Sequence, residues 1–371
     1  MLDASFLERL ETAAAAWEVP AAAVGVAVGG EEEIGALGCS PDAIFRIASI
    51  TKPFTALLAV DLLDLEAQTG VWAPDVRVRH LLSHTSGYDC ELPDLSSLER
   101  LREQLPGVRR WVGIEQVWSY SNAGYWLAGL LCAEGAGAAY EDALAERVLG
   151  PLGLEATSFG PADLAGTGPD AVDGDYPAAR RPSGGLASNV GDLLRFGRRL
   201  LAAPRLRIVH GKPVAGVYGL GLSGERVDGV EVWGHGGSWG GYQTSLLIVP
   251  ERDAVFVGLT NGSRGGKALW EAEQEFFRRL LDAERVERPT VTLPRPTLDA
   301  FTGTYANSDG WYEVEAGPAK LTLTMSDEAF QARSIGERTF EIVGGNRIRE
   351  RFDFPREGFG RFGSRLAERV A

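Results

Sequence analysis

Phe45-Arg46-Ile47-Ala48-Ser49-Ile50-Thr51-Lys52-Pro53-Phe54 leads into a long apolar segment in which Phe54, Leu57, Leu58, Leu62 and Leu65 recur at helical spacing. A serine three residues before a lysine puts a hydroxyl and an amine on one face of a first helical turn, where the amine can activate a nucleophile. Pro53 cannot donate to the Ser49 carbonyl, so Ser49 belongs in or before that turn. Its amide is then one of the unpaired donors of a helix N-terminus, free to face a developing negative charge. By itself the Ser-x-x-Lys pattern equally describes a capping serine followed by a solvated lysine. The surrounding chain has to separate the two readings.

Outward from this stretch, 371 residues predict two domains, and 44% apolar with 24% charged residues is the balance of a globular chain. A net charge of −14 and a pI near 4.9 disfavour phosphate backbones, and no basic stripe offsets this, so no nucleic-acid partner is expected. Residues 1–10 lack a basic leader and an apolar run, which predicts a cytoplasmic chain unless a leader has been removed. No stretch approaches about 20 apolar residues, so no membrane span is expected. Cys39, Cys90 and Cys132 are odd in number and widely spaced, which suits buried free thiols. His80, His84, His210 and His235 form no metal-ligand spacing, and neither a metal nor another cofactor is expected.

Before the opening stretch, a helix is predicted over Ala4 to Trp17, then a hairpin of Ala23 to Val28 and Glu33 to Leu37 around Gly29-Gly30. After it, residues from Asp61 to Leu201 read as mostly helical, with helices over Ser119 to Ala133, Tyr140 to Leu149 and Asp192 to Leu201. Thr167 to Pro182 reads as a long surface loop. Beyond Tyr218 the period becomes two, with strands over Val230 to Trp233, Thr244 to Val249 and Ala254 to Leu259, and a helix follows over Ala268 to Leu281. The expected fold is α+β: one antiparallel sheet flanked by helices, its halves bracketing a mostly helical subdomain. Proline-rich residues 287–298 read as a linker between domains 1–286 and 299–371. The second domain reads as a small antiparallel β-barrel of five short strands from Gly303 to Phe352, with no titratable cluster.

Two further pieces can join Ser49 and Lys52. Tyr120-Ser121-Asn122 precedes a helix, so the phenol and amide can point into a cleft; equally, Asn122 can cap the helix and Tyr120 can pack. His235-Gly236-Gly237-Ser238 ends a predicted strand amid four glycines, which suits a ligand lying along the backbone or a bulge. His84, in a turn beside Ser83 and Thr85, reads as a local hydrogen-bonding group.

Together, in order, Ser49/Lys52, Tyr120/Asn122 and His235 to Gly237 resemble the three motifs of the penicillin-recognising serine hydrolases: class C β-lactamases, DD-peptidases, D-aminopeptidases and related esterases. His80-Leu81-Leu82-Ser83-His84-Thr85-Ser86-Gly87, Gly184-Gly185-Leu186 and Tyr218-Gly219-Leu220-Gly221 also look like that family, over about the first 285 residues. Phe301 to Tyr305 resembles the start of lipocalin-like domains that follow some of these hydrolases.

The resemblance implies that Ser49 forms an acyl-enzyme, with Lys52 and Tyr120 sharing the proton work. It implies that Asn122 orients Lys52 and binds a substrate amide, and that the amides of Ser49 and Ser238 form an oxyanion hole. His235 would add hydrogen bonding and electrostatic support, with Gly236 and Gly237 beside it. Either Lys52 or Tyr120 can be the base, and the spacing is read in favour of Tyr120. His235 stands where many β-lactamases carry lysine, and Trp239 where they carry smaller groups, which points to a small ester, amide or D-amino-acid peptide as substrate. A β-lactamase, a DD-carboxypeptidase and a non-catalytic penicillin-binding sensor are the alternatives.

Overall fold

The computed structural model describes every residue except Met1, 91–97, 161–163, 166–175, Asn346 and Ile348. Helix α1 (Ala4–Ala16) is capped by the Asp3 carboxylate, which accepts from Phe6 N at 2.9 Å. The hairpin β1 (Ala22–Val28) and β2 (Glu31–Leu37) follows. Short strands β3 (Phe45–Arg46), β4 (Ser158–Phe159) and β5 (Leu186–Ser188) make a small sheet in the order β3-β5-β4. Between them lie α2 (Thr51–Leu62), α3 (Val78–Leu82), α4 (Leu98–Gln104), α5 (Asn122–Ala136), α6 (Tyr140–Leu144) and α7 (Arg181–Gly184), and α8 (Val190–Leu201) comes after.

The main sheet is completed by β6 (Val217–Tyr218), β7 (Ser223–Val227), β8 (Val230–Trp239), β9 (Tyr242–Val249) and β10 (Ala254–Thr260), in the antiparallel order β2-β1-β10-β9-β8-β7-β6. The expected bracketing of the helical subdomain by two halves of one sheet is therefore present. Alternation along β1 explains the burial of Ala22 to Ala27 on both faces: Val24 and Val26 face Phe6 of α1 and Phe276 of α9 (Gly265–Phe276), while Ala23 and Ala27 join the core containing Leu193 and Leu194 of α8. Phe54 of α2 stacks on Phe196 of α8 at 3.5 Å between ring centroids, joining the helical subdomain to the sheet. Burying each ring is worth about 1.5–3 kcal/mol.

Several expectations are corrected. The helical region is less helical than its composition suggests: 63–77 and 108–121 contain no helix, broken by Gly70, Pro74 and Gly113. Helix α5 begins at Asn122, because Ser121 takes the N-cap and accepts from Gly124 N at 3.3 Å, which leaves 118–120 extended. Of the loop expected over 167–182, residues 167–175 lie outside the described residues, and Pro182 belongs to α7. Strand β8 continues through the glycines to Trp239, six residues beyond its predicted end.

After the short α10 (Arg295–Asp299), the chain forms a closed antiparallel barrel of eight strands: β11 (Gly303–Asn307), β12 (Gly310–Ala316), β13 (Leu321–Met325), β14 (Glu328–Ser334), β15 (Thr339–Ile342), β16 (Arg351–Arg356), β17 (Phe359–Phe362) and β18 (Arg365–Arg369). Strands β14 and β18 escape the sequence reading because charges on their outer face mask the alternation, as in Arg365-Leu366-Ala367-Glu368-Arg369, and β17 because it is short and its one charge, Arg361, is buried. The barrel interior is filled by aromatic rings, including Phe301 stacked on Phe354 at 4.4 Å and Tyr312 on Phe362 at 4.6 Å.

Candidate active site

Ser49 lies in a single 3-10 turn, Ala48–Ile50, immediately before α2, as Pro53 requires. Ala48 adopts φ +46, a left-handed conformation costing a non-glycine residue on the order of 1–2 kcal/mol. Neighbours on both sides hold it there: Ile47 N donates to Leu186 O at 3.0 Å, and Thr244 Oγ1 donates to Ile47 O at 3.1 Å. Strand β8 passes close beneath this turn. A Cβ at Gly237 would sit 2.2 Å from Ile47 O and 2.4 Å from Thr244 Oγ1, so the glycine is required by backbone packing against the serine turn.

Lys52 is fully buried, and its Nζ donates to two atoms that can only accept, Asn122 Oδ1 at 2.8 Å and Ser183 O at 2.7 Å. Its third direction faces Ser49 Oγ at 3.2 Å. Tyr120 OH donates to the same Ser49 Oγ at 2.9 Å, and Lys52 Nζ lies 4.7 Å from the centroid of the Tyr120 ring. Asn122 therefore orients Lys52 from the first turn of α5. His84 Nδ1 accepts from Ser121 N at 3.0 Å, and its ring packs 4.3 Å from that of Tyr120, so it supports the loop that presents the phenol.

Ser49 opens into a pocket of about 360 Å³ whose wall includes Asn122, Tyr176, Arg180, Ser238 and Trp239. Ser308, Asp309 and Arg365 of the barrel complete that wall, where the sequence reading placed no chemistry in the barrel. Arg365 is paired with Asp309, and Ser308 Oγ donates to Asp89 Oδ1 at 2.9 Å. A second cleft, about 920 Å³, reaches Tyr120, His235 and Gly236 from the side of β7 and residues 284–288.

The beta-lactamase family profile matches residues 7–275. The chain belongs to the beta-lactamase family. Within it, the chain is 27% identical over 380 residues to penicillin-binding protein 4 of Amycolatopsis lactamdurans, covering 83% of this chain and 98% of that one. SurE, crystallised with D-Leu, shares the fold over 99% of both chains at a TM-score of 0.81 and 23% identity. A D-stereospecific amidohydrolase from Streptomyces matches at a TM-score of 0.61 and 25% identity, covering 72% of this chain and 97% of that one.

Ser49, Lys52, Tyr120 and Asn122 converge through hydrogen bonds, and His235, Gly236, Gly237 and Ser238 lie on the adjacent strand. The electrostatics of two of these residues follow from burial. Burial pushes the His235 imidazole down to about 3, so the ring is neutral and supplies no charge. Its Nδ1 must donate to Gly236 O, 2.5 Å away, since that carbonyl can only accept. Burial also pushes the Tyr120 phenol well above its usual range, opposed by the Ser49 hydrogen bond and the charge of Arg365. A resting phenolate, which the Tyr120 base route needs, is disfavoured by that burial.

Three contributors escaped the sequence reading. The Ser183 carbonyl comes from the short α7, which ends at Gly184, and the glycine pair Gly184-Gly185 was its only visible signal. Thr244 and Arg365 act through tertiary contacts that leave no local pattern. Among the described residues, no group of three His, Cys, Asp or Glu could hold a metal ion, and no helix is long and apolar enough to cross a membrane. Cys39, Cys90 and Cys132 form no disulfide; Cys90 and Cys132 are buried, while Cys39 is only half-buried.

Burial also pushes His84 well below 6.5, and brings His80 down to about 4. An unfolded chain, with histidines near 6.5, therefore binds more protons between pH 6.5 and 4 than the folded one. Stability is full above about pH 6.5 and falls with acidification, by up to about 1.4 kcal/mol per pH unit for each such histidine. Thermal unfolding across pH 4–7 should show the midpoint falling as pH drops, and a constant midpoint would contradict the buried neutral imidazoles.

Proposed function

We propose that this chain is a serine acyl hydrolase acting on a small ester, amide or D-amino-acid peptide bond by a Ser-Lys-Tyr mechanism. The observation that carries the reading is the convergence of Lys52 Nζ and Tyr120 OH on Ser49 Oγ, at 3.2 and 2.9 Å. Ser49 Oγ attacks the carbonyl carbon while its proton passes to Lys52 Nζ in the neutral amine form, whose two N–H bonds face Asn122 Oδ1 and Ser183 O and whose lone pair faces Ser49 Oγ. The amides of Ser49 and Ser238 hold the oxyanion, each such donor being worth on the order of 10² to 10³ in rate. Collapse expels the leaving group, which takes the Tyr120 proton, and Lys52 returns its proton to Tyr120. Water then attacks the acyl-enzyme by the reverse relay, releasing the acid and restoring Ser49. The D-stereospecific amidohydrolase, together with the D-Leu in the SurE crystal, supports a D-configured residue on the acyl side. Residues 1–286 and 299–371 are taken as two domains joined by 287–298.

With His235 neutral, Arg180 and Arg365 supply positive charge at the Ser49 pocket. They favour a substrate carrying a carboxylate or another anionic group near the scissile bond. Arg365→Met should raise KM for a carboxylate-bearing ester about tenfold and leave KM for its neutral methyl ester within about twofold, consistent with a charge-assisted contact of ~1.5–3 kcal/mol in an open pocket. Equal effects on both esters would remove Arg365 from substrate recognition.

The function is tested by treating the protein with a fluorophosphonate and, separately, a penicillin, and locating the added mass. Adducts on Ser49 are expected with the fluorophosphonate, and hydrolysis is expected from a panel of nitrophenyl esters and D-aminoacyl nitroanilides. Labelling by penicillin with rapid turnover would make the chain a β-lactamase. No adduct at Ser49 with either reagent would overturn the catalytic reading.

A further inference from the structure

We propose that the β17–β18 hairpin of the barrel is a positioning element for Tyr120, so that the barrel forms part of the proton-relay machinery. The inference rests on the Ser-Lys-Tyr reading. Three consecutive residues of the extended loop that ends at the catalytic phenol are each bonded to this hairpin. Arg361 Nη1 donates to Trp118 O at 2.8 Å, Leu366 N donates to Ser119 Oγ at 2.9 Å, and Tyr120 N donates to Ser364 O at 2.9 Å.

These bonds lie in a protected setting. Arg361 is buried, fixed by two bonds to Asp353 at 2.9 and 2.6 Å, and also donates to Lys212 O at 3.1 Å. Leu366 is buried against Val112 and Val117, just upstream of the Tyr120 loop. Arg365, between the two anchoring residues Ser364 and Leu366, lies with its guanidinium 5.9 Å from the Tyr120 ring centroid.

A loop without helix or strand has no ladder of its own to fix a side chain, and a shift of about 1 Å at a reacting group costs on the order of 10² in rate. The hairpin supplies the missing ladder from outside the hydrolase fold. His84 holds the next residue, through Ser121 N, and so secures the loop from the opposite end.

The test uses the full chain. Arg361→Met and Ser119→Ala remove two of the three bonds, and Gln331→Ala, which removes an exposed bond to Thr322 elsewhere on the barrel, is the control. For D-alanine p-nitroanilide, Arg361→Met and Ser119→Ala should lower kcat about tenfold with KM within twofold; for p-nitrophenyl butyrate, whose leaving group needs no proton from Tyr120, the loss should stay below about threefold, and Gln331→Ala should leave kcat within twofold on both. Combined with Tyr120→Phe, neither variant should lower kcat further, because the phenol they position is gone. With ring-labelled tyrosine, the Tyr120 resonance, assigned by its loss in Tyr120→Phe, should be single in the parent and in Gln331→Ala, and broadened or doubled in Arg361→Met and Ser119→Ala. Losses that multiply with Tyr120→Phe, or an unchanged Tyr120 resonance, would overturn the proposal. The NMR measurement needs no turnover, so it decides even for a variant too slow to assay. Failure of Ser49 to label would instead overturn the reading on which this one rests.

Discussion

Lys52→Met should lower kcat for p-nitrophenyl ester hydrolysis by about 10³-fold, within the 10²–10⁴ typical of a proton-transfer group. Methionine fills similar space but leaves Asn122 Oδ1 and Ser183 O without their donor, at a cost of about 1–3 kcal/mol each. Thermal unfolding alongside the kinetics separates that structural cost from the chemical one. Tyr120→Phe distinguishes the two possible relays. If Lys52 takes the serine proton and Tyr120 protonates the leaving group, the loss should be below about tenfold for a nitrophenyl ester, whose leaving group departs as an anion. It should reach about 10³-fold for an anilide, whose nitrogen must be protonated. Equal losses on both substrates would return the base role to Tyr120, against the burial that raises its pKa.

Gly237→Ala is the second large effect. The added methyl would meet Ile47 O at 2.2 Å and Thr244 Oγ1 at 2.4 Å, and the carbonyl is main chain that cannot swing away. Overpacking of this kind costs about 1–3 kcal/mol. The strand and the serine turn must part, and with them the amides of Ser49 and Ser238. We expect a lower unfolding midpoint and a kcat reduced about 10²-fold, beyond what the stability change explains at a temperature where the variant is folded. Gly236→Ala, whose Cβ would meet only Thr244 O at 3.5 Å, is the neighbouring control and should be nearly silent in stability. Similar destabilisation by both would remove the packing explanation.

The sheet, the helix after Ser49 and the convergence of three separated motifs were legible because each has a local signal. Pro53 fixes where the helix can begin, alternation marks β1 and β9, and Ser121 caps α5. The glycines after His235 were visible but their cause was not. The sequence suggested a ligand or a bulge, whereas Gly237 answers to the main-chain carbonyl of Ile47, 190 residues earlier in the chain. Arg365 was invisible for a different reason. Nothing in Ser364-Arg365-Leu366 differs from an ordinary charged strand start until the barrel closes and brings it beside Tyr120. The neutral state of His235 likewise depends on a burial that no local pattern announces.

The pairing of β1 with β10, from Ala22 opposite Thr260 to Val28 opposite Ala254, has a kinetic meaning. The helices between them can collapse locally, but seven antiparallel pairs must form across more than two hundred residues before the sheet closes. Strand β8 pairs locally with β9, but its docking under the serine turn joins Gly237 to Ile47, 190 residues apart, and shares that long-range closure. Folding should therefore be slow for a chain with this much helix, and nucleophilic reactivity should be among the last properties acquired. Refolding followed at once by far-UV signal and by fluorophosphonate labelling should show helix returning well before Ser49 becomes reactive.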